Sequence, residues 1–217
     1  MNFKMGDFNS RKFRLARIWS NWELRKFASL FTGTIINVSA GENVDKEGRS
    51  YDKYFSNSSD FYLSNYQPNS YRGFEGRPNE LLIDLEQVLK KELEYNFDVV
   101  FNHTTLEHIF DVKTAFSNIC LLSKDIVIIV VPFVQEQHEN EGYLDFWRFT
   151  PTCIRKLFQQ NGLEVIYESA NNDSNTATYL FFVATRNPEK WVSRFPPYKK
   201  LEKAGNWIGV EGKLKKL

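Results

Sequence analysis

The sequence has no long apolar run and only two cysteines. Its longest run of β-branched residues, Ile126–Val131, is far too short to cross a bilayer, and the N-terminus lacks the apolar segment of a secretory signal. Cys120 and Cys153 both stand in helix-like apolar patterns, so we expect two reduced core thiols and a cytoplasmic protein. The sequence contains no Cys-x-x-Cys pair, so its cysteines do not indicate a zinc site.

Two further signatures are missing. The Gly-x-Gly-x-x-Gly fingerprint of nicotinamide binding is absent. No stretch interleaves aromatic and basic residues as a nucleic-acid module does, so we expect no nucleic-acid partner. The net charge of +1 is unevenly distributed, because residues 1–26 carry +5, residues 27–185 carry −10 and residues 186–217 carry +6. The basic ends either lie on the acidic body or face an anionic ligand.

Length and composition indicate one domain, since 217 residues with 42% hydrophobic residues can bury a sizeable core. We expect a helical arm over 1–31, a central domain over 32–186 and a basic tail over 187–217. Apolar runs that end in polar residues alternate with helix-length segments, which is typical of an α/β fold. The predicted strands are 34–38, 60–65, 81–85 (weak), 97–101, 126–131, 163–167 and 178–185. The predicted helices are 22–31 after an N-cap at Ser20-Asn21, 86–94, 111–122 capped by Asp111, and one that starts at Pro151 after Thr150 and ends at Gly162.

These elements predict one doubly wound, mixed seven-stranded sheet with helices on both faces. Ile126–Val131 is apolar throughout, as a central parallel strand requires. Thr178–Thr185 should be antiparallel, because the polar loop Asn171–Asn175 is too short for a crossover. Ligands bind at the carboxyl ends of the strands in such sheets, and all three histidines fall there, within residues 97–151.

Several motifs in this half of the chain recur together in a known family. They are Asp98-Val-Val-Phe with Leu106-Glu-His108, then Pro132-Phe133, His138 and the block Asp145-Phe-Trp-Arg-Phe-Thr-Pro151, followed by residues 154–165. With these motifs, the chain resembles the class I S-adenosylmethionine-dependent methyltransferases, in particular a methyltransferase type 11-like subgroup with the Trp-Arg-Phe-Thr block. The resemblance covers roughly residues 32–186. It implies a Rossmann-like sheet and S-adenosylmethionine as cofactor.

The same resemblance implies roles for individual residues. Asn37, Ser39 and Gly41 stand where the family has an acid and a Gly-x-Gly loop, and would hold the methionine moiety. Asn65, at the end of the second strand, replaces the acid that binds the ribose, so we expect Asn65→Asp to strengthen cofactor binding by supplying a charge. Asp84 and Leu85 would lie by the adenine, and Asn102 and His103 by the methionine.

For the acceptor side of the site, the motifs give less specific predictions. His138 and His108 are the candidate bases, because imidazole titrates near working pH; each could equally be a histidine satisfied by a backbone carbonyl. Asp145, Trp147 and Arg148 either bind the acceptor or form a structural ion pair beside the indole. We expect the loop from Val134 to Arg148 to cover the acceptor, since a long loop in a compact domain is more often functional than idle. His103, His108, His138 and Asp145 could ligate a metal, but the spacing of five between His103 and His108 is not helical, so we expect no metal site.

The resulting hypothesis is a methyltransferase that acts on an oxygen or nitrogen of a small polar acceptor, such as a sugar or another metabolite, without a membrane span. The alternative is a catalytically degenerate relative that serves as a binding or interaction module, since both expected acids are replaced. The sequence leaves a homodimer open.

Overall fold

The computed structural model describes residues 7–172 and 177–205, with side chains from residue 15 onward. The outer ends of the predicted arm and tail, and residues 173–176 of the predicted polar loop, lie outside the described residues.

Within the described residues, seven strands form one sheet: β1 (Gly33–Val38), β2 (Ser58–Asn65), β3 (Glu80–Leu82), β4 (Phe97–His103), β5 (Ser123–Val134), β6 (Glu164–Ala170) and β7 (Thr178–Thr185). They lie side by side in the order β3-β2-β1-β4-β5-β7-β6. Neighbouring strands are parallel except β7, which pairs antiparallel with both β5 and β6. This confirms the predicted mixed, mostly parallel sheet.

Helices cover both faces of the sheet. The helices α2 (Val112–Leu122) and α3 (Pro151–Gln160) pack on one face, while α1 (Asp7–Phe27) and the short α4 (Pro188–Trp191) pack on the other. Successive strand residues alternate between the two cores, as Ile35 and Ile36 do in β1. Residues 126–131 of β5 are fully buried, so this central strand contributes to both cores, at about 1.5–3 kcal/mol for each large side chain.

The predicted helix caps at two positions are confirmed. The Asp111 side chain accepts a hydrogen bond from the backbone N–H of Thr114 at the start of α2. The Thr150 side chain accepts one from Cys153 N before α3, which carries Pro151 in its first turn. Gly162 follows α3 with φ +71°, a conformation that ends the helix at low cost because glycine has no Cβ. These caps fix where α3 starts and stops.

Two predicted helix positions are wrong. Ser20 and Asn21 do not cap a helix, because α1 runs through them to Phe27. The Ser20 hydroxyl donates instead to the carbonyl of Arg17, one turn back, and the Asn21 amide donates to Glu47. Both side chains therefore have partners that leave the helix intact.

The predicted helix over 86–94 is also wrong, since only a single 3₁₀ turn forms there, at Lys91–Leu93. The amide of Asn118 in α2 donates to the carbonyls of Leu85 and Gln87 at 2.9 and 2.7 Å. Binding these carbonyls from outside favours an extended path over helical pairing.

The cysteine prediction holds for one residue only. Cys120 is a buried free thiol in α2, whereas Cys153 is free but exposed at the start of α3. The buried residues of α3 are Ile154, Leu157 and Phe158, and Cys153 is not among them. Within the described residues, no helix combines the length and the apolar composition needed to cross a membrane.

Candidate active site

A cavity of about 630 Å³ opens at the carboxyl ends of β1, β2 and β4. The turn after β1, the loop after β2 and residues 138–143 after β5 all contribute to its walls, together with Arg17 of α1. The structure brings most of the predicted site residues together here. Those lining the cavity are Asn37, Ser39, Gly41, Asn65, Asp84, Leu85, His103, His108 and His138.

The turn after β1 lines the cavity with Ser39, Ala40 and Gly41. Ser39 and Gly41 both have φ +56°, so Ser39 keeps the left-handed conformation for which glycine is the usual residue. The Asn37 amide donates to Asn43 Oδ1 at 2.8 Å and so closes the turn from below. A Cβ on Gly41 would lie 3.2 Å from Cδ of Arg72, which packs across this turn.

The Asn65 side chain makes its hydrogen bonds to other residues of the protein. Its Oδ1 accepts from Gly41 N at 2.7 Å, and its Nδ2 donates to Gly41 O at 3.1 Å and to Glu80 Oε1 at 2.6 Å. Burial alone would raise the pKa of Glu80, but hydrogen bonds from Arg77, Asn65 and two backbone N–H groups lower it to about 2. Asn65 thus connects the glycine turn to a buried ionised carboxylate, and these contacts argue against the expectation that an aspartate here would strengthen cofactor binding.

Of the remaining residues predicted on the cofactor side, some line the cavity and Asn102 does not. Asp84 and the mostly buried Leu85 line the cavity, with Ile83 beside them. Asn102 is fully buried and does not line it, because its amide donates to Val38 O at 2.9 Å and connects β4 to β1 beneath the site.

His103 lies at the cavity wall, against α1. The single Ser20 hydroxyl proton goes to Arg17 O, so Ser20 Oγ accepts from His103 Nε2 at 2.8 Å. Thr104 Oγ1 lies 3.0 Å from the other ring nitrogen. Burial, together with the nearby Arg17, lowers the pKa of His103 well below its usual value. This histidine is neutral, and both of its nitrogens are engaged.

A second group of polar side chains gathers where the chain leaves β4 and β5. Glu107 and His108 lie in a 3₁₀ turn after β4, and His138 approaches from the loop after β5. The ring centroids of His108 and His138 are 4.9 Å apart, and Tyr143 lies 4.5 Å from His108. Burial raises the pKa of Glu107 to about 7 and lowers the pKa of both histidines. We call Glu107, His108 and His138 the mouth cluster.

Asp145 and Arg148 form a bidentate ion pair, with Nη1–Oδ1 and Nη2–Oδ2 distances of 2.5 and 2.6 Å. Arg148 also donates to the backbone carbonyls of Gln135, Glu136 and Trp147. Neither residue lines the cavity. Burial would raise the pKa of Asp145, but Arg148 and the backbone N–H of His138 lower it to about 2. The geometry favours the structural alternative, in which the pair folds the loop that carries His138.

Trp147 also lies outside the cavity lining. Its indole N–H donates to Ile109 O at 2.9 Å, and its ring is 6.3 Å from that of Phe110. The backbone N–H groups of Phe146 and Trp147 both donate to Glu107 O. These contacts attach the end of the loop to the turn that carries the mouth cluster.

The loop after β5 meets the loop after β2 across the cavity. The rings of Tyr71 and Tyr143 are 5.7 Å apart, and a Cβ on Gly142 would come within 2.3 Å of Tyr71 Cβ. Glycine at 142 therefore allows the two loops to touch. That the loop after β5 covers a bound acceptor stays a prediction.

Comparison with solved structures identifies the architecture. The chain aligns with magnesium protoporphyrin IX methyltransferase from Synechocystis, crystallised with bound S-adenosylmethionine, at TM-score 0.54 and 13% identity over 86% of each chain. A Burkholderia thailandensis 1,6-didemethyltoxoflavin-N1-methyltransferase with S-adenosylhomocysteine aligns at TM-score 0.51 and 14% identity, over 83% of this chain and 85% of that one.

A Clostridium acetobutylicum S-adenosylmethionine-dependent methyltransferase aligns at TM-score 0.52 and 8% identity, over 78% of this chain and 91% of that one. The chain has the fold of the S-adenosylmethionine-dependent methyltransferases. No family model matches the sequence, and no curated protein does. The methyltransferase fold places its cavity at the carboxyl ends of the central strands, as found here.

Sequence reasoning missed several residues of this methyltransferase-fold site. Glu107 stands inside the Leu-Glu-His motif, so its position next to His108 was the available signal. Arg17 lines the cavity from a helix that showed no functional pattern, and Tyr71 and Arg72 come from a loop recognised only by its prolines and glycines.

Proposed function

We propose that the protein is an S-adenosylmethionine-dependent methyltransferase that modifies an oxygen or nitrogen of a small polar acceptor. The observation that carries the proposal is the turn after β1. Ser39 and Gly41 hold a backbone conformation that opens onto a 630 Å³ cavity at the carboxyl end of the strand. A cavity of this size suits a cofactor of nucleoside dimensions.

The cavity fits S-adenosylmethionine along its length. The turn at Ser39 and Gly41 would lie against the methionine moiety, and the apolar Ile83 and Leu85 would provide a surface for the adenine, with the Asp84 carboxylate next to them as an acceptor. Arg17 and Lys46 supply positive charge in the cavity wall, where they could bind the carboxylate of the methionine moiety. Bound there, the cofactor would supply an electrophilic methyl group. The protein contributes position and the removal of a proton.

The mouth cluster is where the acceptor's proton would go. His108 and His138 remain the candidate bases, and Glu107 joins them because burial raises its pKa to about 7, within the range useful for a base at neutral pH. Tyr71 and Tyr143 offer ring faces for the apolar side of a polar acceptor. The two loops that carry these tyrosines would exclude water from the acceptor.

Isothermal titration with S-adenosylmethionine and S-adenosylhomocysteine tests the cofactor assignment. We expect one site per chain. The titration should be followed by methyl-transfer assays on panels of hydroxyl- and amine-bearing metabolites. No heat and no thermal shift at millimolar concentrations of either compound would contradict the proposal and favour the non-catalytic binding module.

A further inference from the structure

We propose that the mouth cluster of Glu107, His108 and His138 is a binding site for one divalent first-row transition-metal ion. One ligand atom from each of the three side chains lies within 4.8 Å of the other two. Two imidazoles and a carboxylate are a ligand set that such ions accept, with positions left over for water or substrate. Ligands around one ion are roughly 3 to 4 Å apart, so small side-chain rotations would close the site.

The hydrogen bond of His108 selects the tautomer that a metal needs, and a carboxylate faces one ring nitrogen of His138. His108 Nδ1 lies 2.6 Å from Leu144 O, which can only accept, so Nδ1 carries the proton and Nε2 the lone pair. His138 Nδ1 lies 3.1 Å from Oδ2 of Asp145, a carboxylate held ionised by Arg148. A ligand histidine whose second nitrogen donates to a carbonyl or a carboxylate is the usual outer arrangement of a protein metal site.

Glu107 provides an independent observation. The residue is 1% exposed, and its Oε2 is buried without a hydrogen-bond partner, while its Oε1 is 3.7 Å from Nε2 of His108. A buried carboxylate oxygen without a partner is costly and calls for a missing ion or water. A cation between Glu107 and the two Nε2 atoms would satisfy this oxygen and offset the burial of the carboxylate.

One local change is required. The Gln135 amide nitrogen lies 2.9 Å from Nδ1 and 3.2 Å from Nε2 of His138, and the Gln135 oxygen is buried without a partner. Rotation of this amide would release the imidazole nitrogen and turn the unpartnered oxygen toward the cation.

The site would deepen the proposed function, and this part of the inference rests on it. A cation held here would bind an acceptor hydroxyl and lower its pKa. The hydroxyl proton would leave to water, and the hydroxyl oxygen would form a bond to the methyl carbon as the carbon–sulfur bond breaks, leaving a neutral thioether. The two histidines would then hold the ion instead of taking the proton.

Cobalt titration of the tag-free, chelator-treated chain tests the site, read by visible absorption and calorimetry. We expect one Co²⁺ per chain, with affinity reduced at least about 10²-fold in Glu107→Gln and in His138→Ala. His103→Asn is the matched control, since it removes the only other histidine in the chain and should bind Co²⁺ normally. Asp145→Asn removes the carboxylate charge that faces His138 and also weakens the pair with Arg148, so the folded variant should bind Co²⁺ about 10-fold more weakly.

Absence of stoichiometric Co²⁺ binding would overturn the proposal, as would binding that persists unchanged in the folded Glu107→Gln and His138→Ala proteins. Titration of the same chelated sample with S-adenosylmethionine separates the two claims. Cofactor heat without Co²⁺ binding refutes the metal site alone, and Co²⁺ binding without cofactor heat refutes the proposed function alone.

Discussion

Replacing Asn65 by aspartate should destabilise the protein and weaken cofactor binding, contrary to the expectation from sequence. The substitution exchanges the amide nitrogen, which donates to Glu80 Oε1 at 2.6 Å and to Gly41 O at 3.1 Å, for a carboxylate oxygen. Two carboxylates would then face each other in a buried setting, since Glu80 has no exposed side-chain surface. The glycine turn would lose one of its two connections to residue 65.

The size of the effect follows from these contacts. Two charges with centres about 4 Å apart repel by about 4 kcal/mol at an effective dielectric constant of about 20. Two lost hydrogen bonds add about 1 kcal/mol each, while a proton shared between the carboxylates relieves part of the repulsion. We therefore expect a loss of about 3 to 5 kcal/mol in the free energy of unfolding at pH 7.

The loss should depend on pH with a defined sign. In the variant, one pKa of the carboxylate pair is raised above its unfolded value, so the penalty is small below about pH 4 and grows as the pH rises through the raised pKa. In the natural protein, the pKa of Glu80 is lowered to about 2, so its contribution is present above about pH 4.5 and disappears as the pH falls toward 2. The difference between the two proteins should therefore shrink on acidification.

Urea unfolding at pH 7 and pH 4.5 measures this difference. Asn79→Asp is the matched control, because Asn79 is exposed and nearby and makes only a 3.4 Å bond to Phe61 O. Adding Glu80→Gln to Asn65→Asp should restore most of the stability, since the new amide can donate to the carboxylate introduced at position 65. A variant as stable as the natural protein, or one that binds S-adenosylmethionine more tightly, would refute the reasoning.

Three further predictions concern the turn after β1, the loop after β5 and the contact between the loops after β2 and β5. Gly41→Val should abolish S-adenosylmethionine binding in calorimetry, whereas Gly48→Val, equally strained at φ +84° but with open space around it, should retain binding. Arg148→Ala should lower the free energy of unfolding by about 3 kcal/mol in urea titrations, because it leaves the Asp145 carboxylate buried and unpaired; a purely kinetic effect on the acceptor KM would contradict this. Gly142→Ala should separate the two cavity loops and raise the acceptor KM with cofactor affinity unchanged, and an unaltered KM would show that their contact is dispensable.

The sheet could be predicted from sequence because its signals are local. Apolar runs such as Ile126–Val131 reveal buried strands, and caps such as Thr150 lie next to the helices that they start. The predicted helix over 86–94 failed because composition does not reveal Asn118, a partner far along the chain that binds its carbonyls.

In the candidate site, too, local signals could be read from the sequence and long-range contacts could not. Polar residues at strand ends converge because parallel strands end at one edge, so Asn37, Gly41 and His138 could be placed together. What each side chain bonds to depends on packing between distant segments. Glu80 beneath Asn65, and the carbonyls that occupy Arg148, have no sequence signal.

The helix α1 has a consequence for how the site forms during synthesis. Arg17 in this helix lines the cavity, and Glu23 one and a half turns later accepts a hydrogen bond from Tyr167, 144 residues further along the chain. At a synthesis rate of about 5–20 residues per second, the strands on which α1 packs are synthesised on the order of ten seconds after α1 itself. Closing so long a loop is slow, so one wall of the cavity should be completed late in folding. A ribosome-bound chain that ends before β6 should therefore show helical structure but no cofactor binding.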